Sequence, residues 1–204
     1  DNEVPIIAAI HHAVKDGNQV INMSLTGRNE TARVVEQYAS QGVIFIVAAG
    51  NNRNYNGGIG MPSSAPSAIT VGALNSAGRM ADFSSFGERF DSRKLVAVIK
   101  DVFLVPGTNI VSTLPASPFT FGKKSEPEYG ALSGTSMATP GLAGITALLV
   151  QEVQRMRVVP GPLETAQSLK SALALGSTPM ALDKLPPNAP LDQAFFVVNP
   201  LKAL

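Results

Sequence analysis

The sequence predicts an α/β domain, a mostly parallel sheet with helices on both faces. Two observations carry this expectation. Short β-branched runs are apolar on both faces, as strands buried on two sides require, and helical stretches alternate with them between turn residues. Such alternation implies right-handed crossovers between parallel strands.

The elements follow in order. Residues 5–14 place apolar side chains at helical spacing and stop at Asp16-Gly17-Asn18, a helix end and a turn. Residues 20–25 form a short apolar run that reads as a strand. Residues 30–40 are helical, with Gly42 closing the helix, and residues 43–49 form the apolar run best suited to a covered parallel sheet. Residues 68–73 supply a third strand, and either 102–105 or 110–112 a fourth. From 140 to 156 the chain is a helix rich in small residues and apolar nearly all round, as a buried helix is. Pro160-Gly161-Pro162 breaks it, residues 163–175 form a further amphipathic helix, and 184–190 are a proline-rich loop. Residues 195–204 read as a strand leading into a last helical turn.

With 204 residues, 45% of them apolar and only 15% charged, the chain can bury a core and is not disordered. Sixteen basic and 15 acidic residues nearly cancel, and no dense run of Lys or Arg exists to neutralise phosphates, so no nucleic-acid partner is expected. The apolar run 43–49 is far short of the roughly 20 residues that cross a bilayer, so no membrane span is expected. The lack of cysteine excludes disulfides, a thiol nucleophile and Cys-ligated zinc, and leaves the redox compartment open. The only two histidines are His11 and His12, so histidine chemistry must use them or import a residue.

Gly134-Thr135-Ser136-Met137-Ala138-Thr139-Pro140 opens the small-residue helix. A serine at a helix start meets the positive end of the helix dipole and unpaired backbone N–H groups, which suits a site where oxyanion charge develops. A lone serine there is an ordinary helix cap; the whole segment is another matter. It resembles, letter for letter, the nucleophile motif of the subtilisin-like serine peptidases, the subtilases. Val47-Ala48-Ala49-Gly50-Asn51 resembles that family's oxyanion-hole segment, in the right order relative to Ser136.

The resemblance implies that Ser136 is the nucleophile and that the Asn51 amide and the Ser136 backbone N–H hold the oxyanion. It implies that Ser24, Leu25, Ala48, Ala49 and Gly50 line the pocket for the side chain preceding the scissile bond, with Gly60 at its base. Small residues there leave room for a large apolar side chain. Residues 81–87 and 105–107 match segments that precede the nucleophile motif, and Met61-Pro62 aligns with a bond commonly cis in the family.

Subtilases place Asp, in an Asp-x-Gly segment, and His, in a His-Gly-Thr segment, before the strand that residues 20–25 resemble. Neither segment occurs here. Residues 1–204 are therefore expected to be the C-terminal portion, about two-thirds, of one catalytic domain, a partial subtilisin-like fold lacking its first strands. Its expected partners are a polypeptide substrate and an N-terminal piece carrying Asp and His. Alone, the chain should expose an apolar strand edge, aggregate and hydrolyse feebly. His11 and His12 read as structural residues on a partly exposed helix.

Several departures stand out. Gly141 replaces a usual His after Pro140, residues 92–102 exceed the usual connection and suggest an extra surface hairpin, and Arg89 replaces an acidic residue of a weak cation site. No cofactor is needed for the chemistry and no metal ligand is assigned; structural calcium is implied by the family, with its main site outside this chain. The family also favours a secreted or periplasmic location.

An α/β-hydrolase elbow fails because Ala138 stands where glycine is wanted and no His follows. A Ser-Lys dyad through Lys123, Lys124 or Lys170 has no support in the spacing. Residues 56–60 lack the Lys-Ser/Thr of a phosphate loop. The remaining alternative is a non-catalytic subtilase-like module that binds peptides or a partner protein. The presence of both Ser136 and Asn51, neither needed merely to fold, argues for catalysis.

Overall fold

The computed structural model describes residues 3–53, 58–87, 89–91, 96–98, 100–114, 128–156, 162–190 and 193–199. In chain order the elements are α1 (Val4–Lys15), β1 (Val20–Met23), α2 (Asn29–Ala39), β2 (Ile44–Ala48), β3 (Ile69–Leu74), β4 (Arg89–Asp91) and β5 (Val96–Val98). Then come β6 (Val102–Pro106), β7 (Ile110–Leu114), β8 (Glu128–Leu132), α3 (Thr135–Arg155), α4 (Pro162–Gly176), β9 (Thr178–Pro179), a 3-10 turn (Leu182–Lys184) and β10 (Phe195–Val197).

Among the described residues the main sheet has the order β1-β2-β3-β6-β10-β9, with β1 and β9 at its edges. All neighbours are parallel except β9, which runs antiparallel to β10. Asn22 lies beside Ile46, Ile46 beside Ile69, and Val71 beside Phe103.

Alternation along the central strands sorts the core into two faces. Ile44, Ile46, Val71 and Phe103 pack with Ala138, Leu142 and Leu149 of α3 and Leu169 and Leu173 of α4. Phe45 and Val47 point the other way, toward Ile10 of α1 and Ala32, Val35 and Ala39 of α2. Every residue of β2 and β3 is buried. Each large side chain so enclosed contributes roughly 1.5–3 kcal/mol, which is why these runs carry no polar alternation.

On the α1/α2 face, His11 Nδ1 lies 2.5 Å from the Tyr38 hydroxyl with the rings edge to face. His12 lies on the surface, 3.8 Å from Asp16. Both histidines thus sit across the sheet from α3. The start of α2 has no side-chain cap of its own at Arg28. Glu3 supplies one from before α1: its Oε1 accepts from the N–H groups of Arg28 (2.8 Å) and Thr31 (3.0 Å) and from the Thr31 hydroxyl (2.6 Å). The Thr31 hydroxyl holds the Glu3 carboxyl below its ordinary range; burial, the next effect in size, opposes it, and the backbone N–H groups add to the lowering.

Several expectations need correction. Both candidates for the fourth strand are strands: β6 joins the main sheet, and β7 pairs antiparallel with β8 outside it. The extra hairpin is the antiparallel pair of β4 and β5, which begins at Arg89 rather than Ser92, while Val102 already belongs to the sheet. Helix α3 begins at Thr135, ahead of Pro140, and is not enclosed all round. Ala138, Thr139, Leu142, Thr146 and Leu149 are buried, but Pro140, Gly141, Gly144, Ala147 and Leu148 are exposed along one stripe. The final helical turn expected after β10, at residues 200–204, lies outside the described residues, as do Lys123, Lys124, Asn56 and Gly57. The Met61-Pro62 bond is cis. Among the described residues no helix is long and apolar enough to cross a membrane.

Candidate active site

The N-terminus of α3 is set against the C-terminal ends of the parallel strands. Gly107, just after β6, permits the approach: its carbonyl accepts from the Gly134 N–H at 2.8 Å. A Cβ at Gly107 would lie 2.6 Å from Ala73 Cβ and 3.0 Å from the Gly134 carbonyl oxygen, so any side chain there would push α3 away.

Ser136 sits in the first turn of α3 and faces the end of β1. Its hydroxyl donates to the Ser24 carbonyl at 3.2 Å, and the Ser24 hydroxyl donates to the Ser136 carbonyl at 2.9 Å. The second bond follows from the sequence. The helical donor for the Ser136 carbonyl would be the N–H of residue 140, and proline has none. Ser24 takes its place, itself accepting from Asn22 Nδ2 at 3.1 Å.

Asn51 follows β2 and is oriented by Thr135. The Thr135 N–H and hydroxyl both donate to Asn51 Oδ1, each at 2.9 Å. A backbone N–H can only donate, so the atom it meets is the carboxamide oxygen and Nδ2 must face the other way. The position that a Cβ of residue 134 would occupy lies 3.4 Å from Asn51 Nδ2 and 3.7 Å from the Ser136 amide nitrogen. Two N–H donors and the Met137 Sδ, at 3.5 Å, therefore surround one point beside Gly134 that a side chain on residue 134 would occupy.

The segment bearing Asn51 is fastened in turn. Gly50 has φ +109, and a Cβ there would be strained and 3.0 Å from Ser85 Oγ. The Gly50 carbonyl accepts from the Ser85 N–H at 2.9 Å, and Ser85 Oγ accepts from the Asn52 N–H at 3.1 Å. The Arg53 guanidinium donates to the Asp82 backbone carbonyl and pairs with its carboxylate at 3.0 Å.

The remaining expected site residues are placed as follows. The Gly50 N–H donates to Thr135 Oγ1 at 3.3 Å, and the Gly60 N–H donates to the Ala49 carbonyl at 3.2 Å, which joins Gly60 to the end of β2. Ala48 and Ala49 are buried, Ser24, Gly50 and Gly60 are half-buried, and Leu25 is exposed. Thr135 was not singled out by the sequence reading, although it stands inside the nucleophile motif and is fully buried. Among the described residues no three His, Asp or Glu side chains gather as a metal site.

Comparison with known proteins gives a consistent result. The family model for the subtilase family matches residues 3–176. Subtilisin from Bacillus pumilus is 38% identical over 152 residues, 72% of this chain and 48% of that protein. Subtilisin E from Bacillus subtilis (strain 168) is 38% identical over the same share of this chain and 34% of its own. The chain therefore spans about a third to a half of the length of these relatives. Among solved structures, the prenylagaramide maturation protease PagA superposes with a TM-score of 0.70 at 26% identity, covering 99% of this chain and 66% of that one. Family model, sequence relatives and shared fold agree with one another, and the chain belongs to the subtilase family.

Proposed function

We propose that this chain supplies the nucleophile and the oxyanion hole of a subtilisin-type serine endopeptidase. The observation that carries the reading is the pair of N–H donors, Asn51 Nδ2 and Ser136 N, that lie 3.4 and 3.7 Å from one point beside Gly134. In this mechanism Ser136 Oγ attacks the scissile carbonyl, forming a tetrahedral intermediate whose oxyanion takes hydrogen bonds from both donors, and collapse gives the acyl-enzyme that water hydrolyses. The helix dipole of α3 favours the same negative charge.

A serine hydroxyl needs a base oriented by a third group. Among the described residues, the hydrogen bond that the Ser136 hydroxyl donates goes to a backbone carbonyl, and both histidines lie across the sheet. We therefore assign base and orienter to a His and an Asp in an N-terminal segment, residues 1–204 being the C-terminal portion of the catalytic domain. Edge strand β1 and the exposed small-residue stripe of α3 are the surfaces on which that segment would dock. The substrate is a polypeptide, with Ser24, Leu25, Ala48, Ala49, Gly50 and Gly60 forming a pocket for a large apolar side chain. Chromogenic peptides differing at that position test the preference, and selection of acidic or basic residues would refute it. Secretion or a periplasmic location belongs to the same reading.

The experiment is fluorophosphonate labelling of the full-length protein. Labelling is expected at Ser136 and lost in Ser136→Ala. Asn51→Ala should lower kcat by about 10²–10³-fold, the established loss for the corresponding donor in a subtilisin itself. The bond from the Ser136 hydroxyl to Ser24 favours one other reading, a peptide-binding module without catalysis; absence of labelling together with retained peptide binding would decide for it.

A further inference from the structure

Lys100 lies just before β6 and is only 4% exposed. Its ammonium donates to the carbonyls of Ala65 (2.5 Å), Ala68 (2.7 Å) and Pro66 (3.1 Å). An ammonium has three donors and no acceptor, so these carbonyls saturate it. Carbonyl dipoles meet the charge directly. The charged groups around it are Glu36 on α2 and Asp101, which favour the cation, and Lys170 on α4, which opposes it. Glu36 is committed to Ser67, at 2.7 Å from its N–H and 2.8 Å from its hydroxyl, and Asp101 lies 3.3 Å from Lys170.

The carbonyls belong to the loop that begins at Gly60. Within it the Ser64 N–H returns to the Gly60 carbonyl at 3.0 Å, and the Met61 carbonyl accepts from the Gly27 N–H at 2.8 Å, close to the end of β1. Lys100 has a rigid mount: its own carbonyl accepts from Gln193 Nε2, and Gln193 Oε1 accepts from the Gly87 N–H, both at 2.8 Å.

We propose that the Lys100 ammonium acts as a tethered cation that holds the loop of residues 60–68 in place, and is thereby a positioning residue for the substrate pocket whose base is Gly60. This rests on the pocket assigned above. Burial first, and then Lys170, push the Lys100 pKa down to about 7 against the pull of Glu36 and Asp101. Loss of the proton removes one of three donors and leaves a loop carbonyl unanswered. The KM for a peptide with a large apolar side chain is therefore expected to rise as pH climbs through about 7. Global stability moves the other way. The folded pKa lies below the ordinary lysine value of 10.5, so the burial penalty is complete below about 7 and is relieved between there and 10.5. A lysine that merely supported the fold would shift the melting temperature without moving KM.

The test measures kcat, KM and thermal melting of the full-length protein across this pH range, with Lys100→Arg, Lys100→Met and Lys100→Ala. Arginine keeps its charge throughout and is expected to flatten the KM profile. Methionine is expected to raise KM about tenfold, with a smaller change in kcat, as loss of a charged donor from buried acceptors implies. Lys100→Ala leaves the carbonyls facing a space, and potassium chloride, but not choline chloride, is expected to raise its melting temperature without raising that of the wild type. A KM profile that is flat in the wild type, or equal in wild type and Lys100→Arg, overturns the proposal even if the other two variants do not fold. Indifference of a folded Lys100→Ala to potassium overturns it as well. The melting readout needs no activity, so failure of Ser136 labelling would remove the protease reading while still leaving the tether open to test.

Discussion

Thr135 spends both its donors on one carboxamide oxygen, and that is what aims the other end of Asn51 at the space beside Gly134. Thr135→Val keeps the branched shape and the N–H but removes the hydroxyl donor. The expected result is a kcat lowered about fivefold with KM nearly unchanged, the worth of one net hydrogen bond of about 1 kcal/mol. Steady-state kinetics check this; an unaltered kcat would mean that the N–H alone orients Asn51. Thr146 is the opposite case. It is buried in α3 and its hydroxyl has no partner among the described residues. Thr146→Val removes an unsatisfied polar group with little change in shape and is expected to stabilise the fold by roughly 1 kcal/mol in denaturant titration.

At the level of elements, α2 depends on a carboxylate that lies outside it. Glu3→Gln weakens the cap on Arg28 and Thr31 and is expected to lower the melting temperature near neutral pH. Because the folded Glu3 pKa is depressed, its contribution is present above the ordinary carboxylate range and is lost as pH falls through the folded value. The wild-type and Glu3→Gln melting temperatures should therefore converge in acid. Elements with strong periodicity or unbroken apolar runs, such as α1, β2 and β3, were legible in the sequence because their own side chains form the core. The start of α3 was misplaced because Pro140 reads as a helix opening, whereas Ser24 replaces the donor that proline lacks. Strand β8 was not legible: Glu128-Tyr129-Gly130-Ala131-Leu132 owes its form to pairing with β7, where Gly130 lies so close to Leu114 that a Cβ would be 2.5 Å from it. Ser136 and Asn51 stood in contiguous motifs. The orientation of Asn51 and the burial of Lys100 depend on contacts across 84 and 32–35 residues, which no local pattern carries.

For the whole molecule, the main consequence is asymmetry of covering. On the α3 side the stripe of Pro140, Gly141, Gly144, Ala147 and Leu148 is exposed, and among the described residues β1 pairs on one side only. Residues 1–204 expressed alone are expected to self-associate through these surfaces. If the proposed N-terminal segment carries Asp and His, coexpression with it is expected to restore a soluble, active assembly. Size-exclusion chromatography checks this, and a compact monomer of the chain alone with a cooperative melt would count against it. The proline at 140 also turns the first turns of α3 into a socket. By withholding an amide it opens a backbone oxygen to a hydroxyl from another part of the chain, so the posture of Ser136 is set by the tip of β1 as much as by its own helix. Whatever comes to lie along that strand, a docked segment or a bound peptide, pulls on the same peg that seats the serine.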